Sequence, residues 1–165
     1  MNPEITRHTI AARSFFFGVG CFLILPLPKD WGITKSYLEP DVHSTVQGKD
    51  LIWIEAGQTD QIIFHPLKRI ALDLTILIKR GRHDNLPTKD VEITYSGSRI
   101  FGGHEANYCI GDIKYGFLKK KTAKTLRITF FCSELKRTVN IHFTGKCQEN
   151  DLLEICECLT YLECH

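Results

Sequence analysis

The residues best suited to chemistry lie at the C-terminal end, where CECLTYLECH carries Cys156, Cys158, Cys164 and His165, with Cys147 just upstream. Soft thiolates combined with an imidazole are zinc ligands. Helical spacing works against this grouping. On a helix wheel Cys156 and Cys158 fall about 200° apart, while Cys158 and His165 share a side but stand roughly 10 Å apart along the axis. Cys147 and Cys164 join such a site only if both helix ends fold back. The expectation is no metal and no cofactor, with Cys156 in the core and the other thiols incidental.

A second cluster, GGHEANYC, places His104, Glu105 and Cys109 after a glycine pair. A Cys–His nucleophile pair is formally available there. On a strand, however, an odd separation sends His104 and Cys109 to opposite faces. The chain has no cysteine-hydrolase signature, P-loop, dinucleotide fingerprint, HExxH or GxSxG. No catalytic residue is assigned, and the chain is read as not an enzyme; an unrecognised Cys/His site is the third reading.

Lys119, Lys120, Lys121 and Lys124, with Arg127 nearby, make a local positive patch that attracts phosphate backbones and acidic membranes. The plain alternative is a solvated hairpin tip that discourages edge pairing. Further along, Arg127, Phe131, Asn140 and His142 share one face of a strand pair, an aromatic among hydrogen-bonding groups that suits a protein partner. Cover by the N-terminal helix or another strand layer would suit the same residues equally well.

The elements that position these residues follow from two periodicities. In LRITFFCSELKRTVNIHF, a turn centred on Glu134 and Leu135 sets Cys132 opposite Arg137, Phe130 opposite Val139, Ile128 opposite Ile141 and Leu126 opposite Phe143. One face is then largely apolar and the other carries Arg127, Thr129, Thr138, Asn140 and His142; a one-residue slip scrambles both. A closing helix begins with Asp151 as N-cap and Glu154 three residues on, and Leu152, Ile155, Cys156, Leu159 and Leu162 form its apolar stripe.

Upstream, Asn2, Pro3 and Glu4 are helix-start signals and predict a short helix from Pro3 to Ala12. The apolar run SFFFGVGCFLILPLP imitates a secretory signal. No small-x-small cleavage site follows it, and it is shorter than the ~20 residues that span a bilayer. It is read as a buried strand with Gly18 and Gly20 at a bend or bulge, although membrane association is left open. Strands are expected at Leu51–Ala56, Gln61–His65, Ile70–Ile78, Val91–Tyr95 and His104–Ile110. Residues Ser36–Lys49 and the segment GRHDNLPTKD read as loops, and Ser96, Gly97 and Ser98 as a turn. Asp112–Leu118 pairs with the next strand across the basic loop KKKTAK.

At 165 residues with a net charge of +2, the chain suits one domain and gives no whole-molecule argument for nucleic acid. Seven cysteines without a Cys-rich spacing pattern favour buried thiols in a reducing cytoplasm over a disulfide framework.

The segment ILPLPKDW, an apolar strand followed by Pro28 and Trp31, resembles the entry of PsbP-like domains. The strands that follow, and the final strand pair with its terminal helix, extend the resemblance over residues 15 to 163. The family includes the PsbP extrinsic subunits of the oxygen-evolving complex and, on a related fold, a factor that binds the Ran GTPase. The resemblance implies an antiparallel sheet with helices packed on it, and a binding or assembly role. No binding residue of that family has a counterpart to carry over. The combined expectation is an α+β domain over residues 1–165: an antiparallel sheet with a short N-terminal helix and a C-terminal amphipathic helix on one face. It binds another protein through Arg127, Phe131, Asn140 and His142, or nucleic acid or an anion through the Lys119–Lys124 loop.

Overall fold

The computed structural model describes residues 4–14, 18–34, 51–55 and 61–164. The expected loop at Ser36–Lys49 and the residues between the strands at 51–55 and 61–65 lie outside that set. Among the described residues the strands are β1 (Ile5–Ser14), β2 (Gly18–Pro28), β3 (Gly32–Thr34), β4 (Leu51–Glu55), β5 (Gln61–His65), β6 (Ile70–Arg80), β7 (Val91–Phe101), β8 (His104–Tyr115), β9 (Lys121–Cys132) and β10 (Arg137–Gly145). One α-helix, α1 (Glu149–Cys158), and a 3-10 turn over Leu159–Tyr161 follow. The strands form two sheets, β2-β1-β4 and β3-β5-β6-β10-β9-β8-β7. The fold is sheet-dominated α+β, and apart from the parallel β1–β4 pair its strands run antiparallel.

The N-terminal segment corrects one expectation. Residues 5–14 form a strand, not a helix. The cap-like Asn2-Pro3-Glu4 start is a local signal, but β1 lies in the middle of its sheet between β2 and β4. Ile10, Ala11 and Ala12 are all fully buried there, which suits a strand covered on both faces. Tertiary pairing overrides helix propensity in this position. The β1–β2 register shifts between Ala12 and Arg13, pairing Ala12 with Cys21 and Arg13 with Val19. Gly20 is therefore the extra residue of a bulge, in the place where a glycine is most easily accommodated.

Leu126, Ile128, Phe130 and Cys132 of β9 pair with Phe143, Ile141, Val139 and Arg137 of β10, as the alternation requires. The apolar face of this pair joins Leu72, Leu74 and Ile76 of β6, Ile10 and Ala12 of β1, and Leu23 and Leu25 of β2 in one continuous core. The expected stripe of Leu152, Ile155, Cys156, Leu159 and Leu162 is buried in the same core, its first three residues on α1 and its last two beyond the helix end, with α1 packed against both β2 and β9. Its start lies earlier than expected. Gln148 is the N-cap and Asp151 the third helical residue, and the Asp151 carboxylate accepts the Gln148 backbone N–H at 2.9 Å. Asp151 is buried and paired with Lys68 at 2.8 Å, an anchoring role that a cap open to solvent would not have.

Two turns are also relocated. Ser96, Gly97 and Ser98 continue β7 instead of ending it. Gly97 lies across from Tyr108, whose ring a Cβ at position 97 would meet at 3.3 Å, so the glycine is a close approach and not a turn. The β8–β9 connection is Gly116–Lys120, leaving Lys121 and Lys124 inside β9. Pro28 and Trp31 mark a tight turn, with the Trp31 backbone N–H donating to the Pro28 carbonyl at 2.9 Å. The Trp31 ring is buried edge-on to His65.

Candidate functional site

The polar face of β9 and β10 is roofed by the segment between β6 and β7. Thr138 donates its hydroxyl to the Gly81 carbonyl and accepts the His83 backbone N–H. Arg127 donates both terminal nitrogens to Asp90, at 2.7 and 2.9 Å, and one of them also to the Pro87 carbonyl. This bidentate pair is the strong geometry for an arginine and a carboxylate, and it holds the Asp90 carboxyl below the usual range. Arg127 is left only 8% exposed. Asn140 is buried and accepts a hydrogen bond from Thr129. His142 is paired opposite Arg127, and burial, reinforced by that guanidinium, lowers its imidazole to about 4. Phe131 is half-buried with the Arg82 guanidinium 5.4 Å from its ring centre. All four residues thus share a face, and two of them, Arg127 and Phe131, contact the 81–90 segment directly.

His104 and Cys109 lie on opposite sides of β8, as their odd separation requires. Cys109 pairs opposite Arg127 on the polar side, where burial raises its thiol above the ordinary value. Glu105 is exposed. A buried thiol held in its protonated form, turned away from the imidazole, is a poor nucleophile.

The C-terminal thiols divide into two groups. Burial pushes Cys156 and Cys158 up to about 11 and Cys147 up to about 12. These are inert thiols, and Cys158 proves as fully buried as Cys156. His165 lies outside the described residues. Cys164 behaves differently, because α1 stops at Cys158. After the 3-10 turn the chain becomes extended at Leu162, and Glu163 forms a bridge to Ile24 of β2, with backbone hydrogen bonds of 2.7 and 3.2 Å. Cys164 is carried inward until its Sγ lies 3.2 Å from His104 Nε2 and 3.4 Å from Cys132 Sγ. Cys132 and Cys164 are buried and His104 is half-buried. This trio joins residues from three separate stretches, and helical arithmetic on the C-terminal cysteines alone does not reach it.

The lysine patch is reshaped as well. Lys124 is committed to Asp112 at 3.0 Å, and Arg127 lies under the 81–90 segment. Lys119, Lys120 and Lys121 remain exposed at the β8–β9 tip, joined by Lys114. Between them stand Phe117, 88% exposed, and Leu118, 69% exposed. The backbone that presents them is strained: Leu118 and Lys119 occupy the left-handed region at φ 57° and 52°, a conformation costing roughly 1–2 kcal/mol for each non-glycine residue. The sequence contained the Phe-Leu pair, but read as part of a strand it offered no sign of standing at an apex.

No family model matches the chain, and no curated protein matches it. Among solved structures it is similar to the solution structure of cyanobacterial PsbP (CyanoP) from Synechocystis sp. PCC 6803. The TM-score is 0.46 at 11% identity, over 87% of this chain and 86% of that one. The resemblance read from Pro28 and Trp31 thus returns as a weak likeness of fold, which assigns no residue and no activity. No helix among the described residues is long and apolar enough to cross a membrane.

Proposed function

We propose that this chain is a non-enzymatic binding protein, and that its binding element is the β8–β9 tip, directed at an anionic lipid surface. The observation that carries the reading is the pairing of Phe117 and Leu118, both largely exposed, with the exposed Lys119, Lys120 and Lys121. Two apolar side chains held in water on a strained turn are a standing cost. A lipid interface removes that cost by burying them at headgroup depth, while flanking lysines meet anionic headgroups at about 1 kcal/mol each. A phosphate backbone would reward the lysines but gain little from Leu118, so nucleic acid is the weaker target. Anionic lipid is concentrated on the cytoplasmic leaflet, which agrees with a cytoplasmic setting and with cysteines kept as thiols.

Vesicle co-sedimentation tests this. Vesicles of phosphatidylserine and phosphatidylcholine should retain the protein at low salt, and pure phosphatidylcholine should not. Changing Lys119, Lys120 and Lys121 to glutamine should weaken binding about a hundredfold, three contributions of about 1 kcal/mol. Phe117→Ser with Leu118→Ser should weaken it tenfold or more. Equal retention by both vesicle types, or indifference to the Phe117/Leu118 pair, would defeat the proposal.

A protein partner is the second reading, moved from the roofed face to β7. This strand ends the larger sheet among the described residues and exposes Ile93, Tyr95 and Ile100, the surface that strand addition uses. Loss of partner capture in Ile100→Lys, with the tip variants unaffected, would favour it.

A further inference from the structure

We propose that His104, Cys132 and Cys164 form a binding site for one zinc ion. His104 is the first residue of β8 and Cys132 the last of β9. The two strands pair Ala106 with Phe130, so each ligand lies two residues further along its strand, on the same face and opposite the other. Cys164 arrives from a third direction on the extended segment tied to β2.

The distances suit one ion. Zinc–sulfur bonds of about 2.3 Å and zinc–nitrogen bonds of about 2.0–2.1 Å at tetrahedral angles place two sulfurs about 3.8 Å apart and a sulfur about 3.6 Å from a nitrogen. Here Cys164 Sγ is 3.4 Å from Cys132 Sγ and 3.2 Å from His104 Nε2, and all three ligand atoms lie within 4.8 Å of one another. The two separations from Cys164 need to open by only about 0.4 Å each to reach these values.

The imidazole is already oriented for the task. His104 Nδ1 lies 2.9 Å from the Gly102 carbonyl oxygen. A carbonyl oxygen only accepts, so Nδ1 carries the proton, and Nε2 turns its lone pair toward Cys164. A backbone carbonyl fixing the second ring nitrogen is the usual support for a zinc-bound histidine. Charge agrees too, since two thiolates neutralise the dication and spare the interior a net charge. On binding, Zn2+ displaces one proton from each thiol and two protons leave to solvent, so affinity falls as the pH falls. Beside the trio lies a groove of about 460 Å³ lined by His104, Cys132, Gly103, Glu105, Ser133 and Glu134. Water from this groove completes the tetrahedron, so the site has three protein ligands and one open position.

The test uses the full chain, untagged and kept reduced with a non-thiol reductant. Zinc should bind at one equivalent per chain in competition with a chromophoric chelator. Cobalt in its place should give the thiolate charge-transfer band and the intense visible bands of a tetrahedral site. Saturating zinc should raise the melting temperature by on the order of 10 °C. Cys164→Ala and His104→Gln should lose the stoichiometric zinc and the stabilisation while still melting cooperatively, and Cys147→Ala should keep both. The proposal is overturned by cobalt bound without a thiolate band, by zinc retained in Cys164→Ala, by no metal bound, or by a Cys132–Cys164 disulfide occupying the site in reduced preparations. These outcomes are independent of vesicle binding.

Discussion

Gly102→Ala is expected to cost about 4 kcal/mol and to lower the melting temperature by roughly 8–16 °C, whereas Gly103→Ala costs about 1–2 kcal/mol. Both glycines form the β7–β8 turn and both have positive φ, 56° and 81°. Backbone strain alone therefore penalises each alanine by a similar 1–2 kcal/mol. The surroundings separate them. A Cβ at position 102 would lie 1.9 Å from the Leu162 carbonyl oxygen, and the same Cβ at 103 meets nothing within 4 Å. The obstruction at 102 is backbone, which no rotamer change relieves. Gly102 also donates its N–H to the Thr160 carbonyl at 3.2 Å and accepts from His104 through its own carbonyl. Displacing it loosens the turn, the post-helical segment and the imidazole together. Thermal melts of the two variants side by side provide the measurement, and equal losses would show that the Leu162 contact is not rigid.

The same locality explains what sequence could reveal. Pairing of β9 with β10 was legible because both faces are specified: Leu126, Ile128 and Phe130 inward, Arg127 and Thr129 toward the 81–90 segment. Gly20 could be read as a bulge since its place among strand-forming residues left few other uses for it. The β1 strand was not legible, because Asn2, Pro3 and Glu4 give a genuine local helix signal and only the pairing with β2 and β4 overrides it. Cover over Arg127 was one of two even readings, but the segment that supplies it was not legible. GRHDNLPTKD reads correctly as a loop, but Asp90 and Arg127 stand 37 positions apart, and nothing in either segment names the other.

The trio of His104, Cys132 and Cys164 failed to emerge for a related reason. Cys132 could be placed at the end of its strand, and His104 after its glycine turn. The sequence did not fix which strand pairs with β9 on its free side. Nor does any glycine or proline mark the end of α1 at Cys158, so the apolar spacing continues without a stop through Leu159 and Leu162. Reading Cys164 as helical put it on a cylinder with Cys156 and Cys158. Ending the helix one turn earlier frees it to reach β8 and β9.

Acid should destabilise this protein well above the carboxylate range. Stability measured by urea unfolding is expected to be level from pH 8 to 7 and to fall by up to about 6 kcal/mol between pH 6.5 and 4. Two histidines are responsible, His8 fully buried and His142 half-buried. Burial lowers His8 to about 4, and both its ring nitrogens are buried without a hydrogen-bond partner among the described residues. Burial, aided by Arg127, lowers His142 to about 4 as well, while Asp90 pulls the other way. Above 6.5 the imidazoles are neutral in both states and contribute no pH dependence. Below it the unfolded chain takes up two protons that the folded chain refuses, so unfolding gains free energy as the pH falls, levelling off near 4. At 1.36 kcal/mol per unit, each shift of 2.5 units, from 6.5 to about 4, is worth about 3 kcal/mol. For a fold with a typical margin of about 5–15 kcal/mol, the two together bring it close to unfolding. Asp90 and Asp73, held respectively below and above the usual carboxylate value, act in opposite directions nearer pH 4 and leave the upper part of the window to the histidines. His8→Met keeps a similar volume in β1 and removes one titrating group, so it should unfold no more readily than wild type at pH 7 and resist acid better by about 3 kcal/mol at pH 4.5. An unfolding free energy that stays flat from pH 7 to 5 in wild type, or an unchanged slope in His8→Met, would mean that these imidazoles take up their protons without unfolding the sheet.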